Sequence, residues 1–286
     1  LNWEWARRKH KKHILPLVTH EEWKHVSLSH RYRKGEKGMK LLVATENGKI
    51  SSPSSLRGLY LYSPYGILYP KIEQISPPEL SRAGQLLTEI THNLFSVMGL
   101  KSEVTDTCRL IEKQPHTIVD YYLMVLFRKD YKEESLNEED KENQKGISIK
   151  RARPGDTKNL FPLQEAYELE EVVLDKRNYN PKFSFANFRK SISNNIILYA
   201  ELNGKPVAKA GTNARGFNTD QVGGVFTVKE ERGRGLGRIV MKNLLFCIFK
   251  EKEAASLFVK KNNIPAIRLY ERLGFEIIDE YRIAYF

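Results

Sequence analysis

The feature that most constrains this chain is residues 222–237, which read VGGVFTV, KEE and RGRGLG and run straight into an apolar helical segment. Val222, Val225, Phe226 and Val228 form a short β-branched and aromatic run bounded by glycine and charge, which predicts a buried strand. From Leu236 the period changes. Leu236, Ile239, Val240, Leu244, Cys247 and Ile248 recur at the three- and four-residue spacing of one helix face. Between strand and helix, Gly233, Gly235 and Gly237 remove side chains from alternate loop positions and leave bare N–H groups at the helix N-terminus. Such groups, backed by the positive end of a helix dipole, make an anion site whose natural guest is a phosphate or pyrophosphate. Arg232, Arg234 and Arg238 add positive charge around it. The GxGxG spacing is neither the dinucleotide fingerprint nor a Walker loop, and alone it reads equally as a glycine-rich turn with a basic rim.

The context decides between those readings. Residues 256–261 (SLFVKK) predict a second strand, and NNIPAIRLYERLGF a helix capped by Asn263, with Pro265 in its first turn and Gly274 at its end. Ala266 and Tyr270 lie four apart on one face of that helix. Strand, RGRGLG loop, strand and N-x-x-A-x-x-x-Y-x-x-x-G-F helix resemble the acetyl-CoA half of the GNAT superfamily of N-acetyltransferases, whose pyrophosphate motif falls on Arg232, Gly235 and Gly237.

The resemblance implies acetyl-CoA as cofactor and transfer of its acetyl group to a primary amine of a small-molecule or protein acceptor. It implies coenzyme contacts from Phe226, Thr227 and Val228 through the main chain of a bulged strand. Further contacts are expected from Arg232, Gly233, Arg234, Gly235, Leu236, Gly237 and Arg238 in the loop, and from Asn263 and Ala266 in the last helix. Tyr270 falls where the family's tyrosine meets the coenzyme sulfur, the place of a general acid. No histidine follows His116, so a histidine base in the second half is excluded. Glu170 and Glu171 on the helix expected to line the acceptor groove, and Asp220 before the central strand, are the carboxylate candidates, with Glu171 the choice.

A length of 286 residues suits two domains with a core in each. The acidic strip KEESLNEEDKENQKG at 132–146 has little to bury and marks a linker. It divides the chain into 1–131 and 147–286. Residues 41–128 alternate strands and helices and predict an α/β unit with a mostly parallel or mixed sheet, repeating the element order of the second half. At the place of RGRGLG the first half has Ser76-Pro77-Pro78-Glu79-Leu80, where two prolines remove N–H donors and Glu79 repels phosphate. Through GILYP, FSVMG and YLMVL the chain resembles a bacterial group of GNAT proteins in which a degenerate N-terminal domain precedes the acetyltransferase domain.

The net charge of +12 makes polycationic acceptors a poor match and favours an anionic small molecule, an amino acid or a protein amine. The basic cluster at 7–13, flanked by Trp3 and Trp5, offers phosphate contacts and stacking. With no base-reading motif beside it, it reads instead as a solvated terminal face. His10, His13, His20, His25 and His30 show no metal-ligand spacing and read as surface residues, and no metal is expected. Thr19 and Glu22 fit a capping box for a helix running to Tyr32. Cys108 and Cys247 read as reduced core thiols, and no apolar run approaches the ~20 residues of a membrane span, so the expectation is cytoplasmic. Two other classes remain open: a protein that binds acetyl-CoA without transferring it, and a nucleic-acid binder using the basic N-terminus.

Overall fold

A computed structural model of the chain describes residues 1–46, 48–72, 75–132, 146–173 and 175–286. Most of the 132–146 strip therefore lies outside the described residues, as does Leu174. The first half supplies strands β1 (Asn2–Trp5), β2 (Lys40–Thr45), β3 (Leu56–Tyr62), β4 (Ile67–Lys71), β5 (Ser96–Leu100) and β6 (Thr117–Phe127). Its helices are α1 (Lys11–Thr19), α2 (Val26–Lys34), α3 (Pro77–Thr88) and α4 (Lys101–Leu110). The second half runs β7 (Ile147–Arg151), α5 (Thr157–Tyr167), α6 (Pro181–Asn194), β8 (Ile197–Leu202), β9 (Lys205–Arg215) and β10 (Thr219–Thr227). It continues through α7 (Leu236–Phe249), β11 (Ala254–Lys260), α8 (Ile264–Arg272) and β12 (Glu276–Tyr285).

The twelve strands of the described residues join one mixed sheet in the order β1-β2-β3-β4-β5-β12-β6-β11-β10-β9-β8-β7. Among the described residues, only β4/β5 and β10/β11 are parallel. The sheet of the first half is thus mixed, one of the two expected arrangements, and mainly antiparallel because β2, β3 and β4 follow one another without a crossover helix.

The last strands of the two halves change places. β12 is hydrogen-bonded between β5 and β6, and β6 lies between β12 and β11. Met124 and Leu126 of β6 consequently pack into the second half's core, against the fully buried Ile239, Val240, Leu244 and Ile248 of α7. Removing such a side chain from water stabilises by about 1.5–3 kcal/mol.

The place in the first half that corresponds to the glycine loop is closed by its own polar groups. Glu79 Oε2 accepts from Ser76 N–H (3.1 Å) and Ser76 Oγ–H (2.5 Å) in a capping box at the start of α3. At the end of β4, the buried Glu103 accepts the Ile72 N–H (2.6 Å) and faces His25 Nε2 (2.9 Å).

Several local expectations fail for the same reason, which is a distant partner. His25 and His30 are buried, not at the surface. His30 Nδ1 accepts the Arg215 N–H at 2.9 Å, and burial lowers its pKa to about 4. Thr19 ends a helix instead of starting one, and Glu22 is 1% exposed, its carboxylate turned onto the 217–219 turn. Trp3 is buried with its Nε1–H on the Glu79 carbonyl (2.9 Å), so it offers no stacking surface to a base. Among the described residues, no helix is long and apolar enough to cross a membrane.

Candidate active site

The glycine loop turns as its sequence requires. Gly233 (φ +81°) and Gly235 (φ +72°) adopt left-handed backbone, which costs other residues about 1–2 kcal/mol. Gly235 is the N-cap of α7 and has no side chain to satisfy the first turn. The first intrahelical bond is from Ile239 N–H to Gly235 O (3.1 Å), so the N–H groups of Leu236 and Gly237 in the first turn are left for a ligand. Arg232 is tied to the strand before the loop: its guanidinium donates to Thr227 O (3.0 Å) and to Glu170 (2.7 Å) and lies over the Phe226 ring.

β10 supplies the next wall. It pairs with β11 only over residues 219–221, and the two then diverge. Gly224 (φ +63°) sits in a register shift between Gly223 and Phe226, and this bulge bends the strand. Val228 N–H bonds Val207 O (2.9 Å), so alternation along the ladder turns the N–H and carbonyl of Thr227 away from β9 and into the gap. The Thr227 carbonyl is the one that Arg232 reaches.

α8 closes the other side. Asn263 Oδ1 caps it by accepting the Ala266 N–H (3.2 Å), while Asn263 Nδ2 donates to Glu171 Oε1 (3.2 Å). The second Glu171 oxygen lies 3.7 Å from Lys260 Nζ. Tyr270 is buried, and burial first, then the neighbouring Tyr167 and Glu171, push its phenol well above the usual range, so it holds its proton.

These groups line one cleft of about 830 Å³. It contains Phe226, Thr227, Arg232, Gly233, Gly235, Leu236, Gly237, Arg238, Asn263, Ala266, Tyr270 and Glu171 together, although they are scattered over a hundred residues. Two expected residues do not line it. The Val228 amide is used by β9 and its side chain packs on the core, and Arg234 turns back onto Glu231. Asp220 is fully buried on Arg215 (3.0 Å), a structural pair that does not line the cleft.

The sequence reading also missed residues. Tyr167, at the junction of α5 with a π-helical turn (Glu168–Val172), lines the cleft, as do Tyr121 of β6 and Ile283 and Tyr285 of β12. The π turn inserts a residue into the helix and is a recurrent device at functional sites. For Tyr121 and Tyr285 no local signal exists, because the strand exchange brings them there.

Lys209 lies beneath the bulge, 3% exposed, with Nζ 2.8 Å from Gly224 O and 4.3 Å from the centre of the Tyr167 ring. Burial pulls it down to about 7, opposed by the Glu168 carboxylate. Between pH 7 and its ordinary value near 10.5 the unfolded chain holds a proton that the folded chain has released, so stability rises with pH across that window. The penalty is fully present below pH 7. Lys209→Met should remove this part of the slope, which urea unfolding midpoints measured from pH 7 to 10 will show.

Residues 161–275 match the acetyltransferase (GNAT) family model. No curated protein matches the chain. Among solved structures, it is similar to a GNAT-family acetyltransferase from Colwellia psychrerythraea (11% identity, 100% of each chain covered, TM-score 0.57). It is also similar to a tandem GNAT protein from the clavulanic acid biosynthesis pathway (10% identity, 99% of this chain and 97% of that one, TM-score 0.57). A third is a GCN5-related N-acetyltransferase from Kribbella flavida (16% identity, 80% of this chain and 86% of that one, TM-score 0.54). At these identities the neighbours show the fold alone, a mixed α/β sheet that fits the two-part arrangement of tandem GNAT proteins, and the family match identifies residues 161–275 as an acetyltransferase domain of the GNAT family.

Proposed function

We propose that the protein transfers the acetyl group of acetyl-CoA to a primary amine by direct attack. The observation that carries this reading is the continuity of one cleft from the N–H groups of α7, past the outward Thr227 amide, to Tyr270 and Glu171. Acetyl-CoA, when bound, supplies an activated thioester. The helix N-terminus and Arg238 hold its pyrophosphate, and the glycines permit close approach. Thr227 N–H, turned away from β9, would donate to the thioester carbonyl oxygen, where negative charge develops during attack. Tyr270 gives its proton to the sulfur as the carbon–sulfur bond breaks. Glu171, directly or through water, takes the proton lost by the amine as the carbon–nitrogen bond forms.

In this reading residues 147–286 hold the coenzyme, and residues 1–131 lend β6 to the acceptor end. A cytoplasmic location is part of this reading, and the free thiols of Cys108 and Cys247 support it.

Tyr270→Phe tests the assignment. It should lower kcat by about 10²-fold or more, the usual scale of general acid catalysis, and leave stabilisation by acetyl-CoA unchanged. An unchanged kcat would remove Tyr270 from the mechanism.

A further inference from the structure

We propose that the acceptor is a primary amine carried on a flat apolar body such as an aromatic ring, and not an amino acid or polyamine; this rests on the acetyl-transfer reading of the cleft. The far end of the cleft is built by register. Tyr121 pairs with Tyr281, Val119 with Ile283, Thr117 with Tyr285 and Leu123 with Phe258. Directly opposed residues share a sheet face, so Tyr121, Phe258, Ile283 and Tyr285 stand on the same one. Tyr121 and Phe258 meet edge to face with ring centres 5.1 Å apart, and all four line the cleft beside the β10 bulge. Tyr167 contributes a further ring to the same space. An edge-to-face wall of this kind takes a ring or a comparable hydrocarbon and removes it from water.

The cleft also offers a carboxylate to an ammonium. Glu171 lines the cleft together with these rings. The nearby cations are engaged, Lys260 with Glu171 at 3.7 Å and Arg232 with Glu170 at 2.7 Å. One carboxylate set in apolar rings selects a single cationic nitrogen with a hydrophobic substituent. A polyamine would strand its further charges against those rings.

The test compares 2-phenylethylamine, methylamine, glutamate and spermidine on the full chain, by initial rates of thiol release from acetyl-CoA and by calorimetric binding in the presence of CoA. The expected order puts 2-phenylethylamine about 100-fold or more above each of the others in kcat/KM and first in affinity. Tyr121→Ala should cut the phenylethylamine-to-methylamine ratio about ten-fold or more, while Tyr121→Phe, which keeps the ring, preserves it. Glutamate or spermidine matching 2-phenylethylamine, or a ratio untouched by Tyr121→Ala, overturns the proposal. If no amine is turned over although acetyl-CoA stabilises the fold, acetyl transfer fails as the function, and the calorimetric ranking still decides the acceptor class.

Discussion

Gly235→Glu should abolish the stabilisation that acetyl-CoA confers. A ligand at about 100 times its dissociation constant raises stability by about 2.7 kcal/mol, a shift of roughly 5–10 °C for a chain of this size. In the variant the shift should fall to zero. Two effects combine: a side chain with φ near +72° costs about 1–2 kcal/mol, and its carboxylate points negative charge at the N–H groups meant for phosphate. Gly235→Ala separates them. It carries the same backbone strain, so both variants should unfold slightly earlier without ligand, but Ala should retain part of the ligand shift and Glu none. Thermal unfolding of the three proteins with and without acetyl-CoA makes the comparison.

Glu22→Ala should be the most damaging single change to stability. Glu22 accepts the N–H groups of Phe217 (2.6 Å), Asn218 (2.6 Å) and Thr219 (2.9 Å), and the Ser29 hydroxyl. Hydrogen bonds to a charged group contribute about 1.5–3 kcal/mol each, and alanine leaves this cluster of N–H groups without its acceptor. A loss of about 4 kcal/mol or more is expected, or some 10 °C in Tm. The clamped turn leads directly into β10, so kcat/KM should fall as well. Glu22→Gln keeps one acceptor oxygen and should lose less. Urea unfolding of the three proteins gives the ranking, and equal stability of Glu22→Ala and the parent would show that the turn holds itself.

How far the sequence revealed this arrangement follows from the range of each interaction. The glycine loop, its helix, the Asn263 cap and the position of Tyr270 were legible because spacing along one or two elements sets them. Of the strand residues expected to face the coenzyme through the main chain, Phe226 and Thr227 line the cleft and Val228 does not. Val228 spends its amide on Val207, a fact set by the β9 register and invisible in VFTV. Glu22 matched a capping box three residues from Thr19, yet its partners lie about 195 residues away. The histidines at 25 and 30 gave no signal for the same reason, with partners at Glu103 and Arg215. The exchange of β6 and β12 was the least legible feature. A strand's sequence does not name its neighbour when either would bury the same apolar face. That exchange carries Tyr121 into the cleft, so the acceptor end was hidden while the cofactor end was plain.

The central claim is transfer, and the most direct measurement is a mass spectrum of a primary-amine mixture incubated with the protein and isotope-labelled acetyl-CoA, alongside a count of CoA thiol released. The account predicts one labelled acetyl group on an amine nitrogen for each thiol freed, with both signals lost in Gly235→Glu. Thiol release without an acetylated amine, or stabilisation by acetyl-CoA with neither signal, would contradict it.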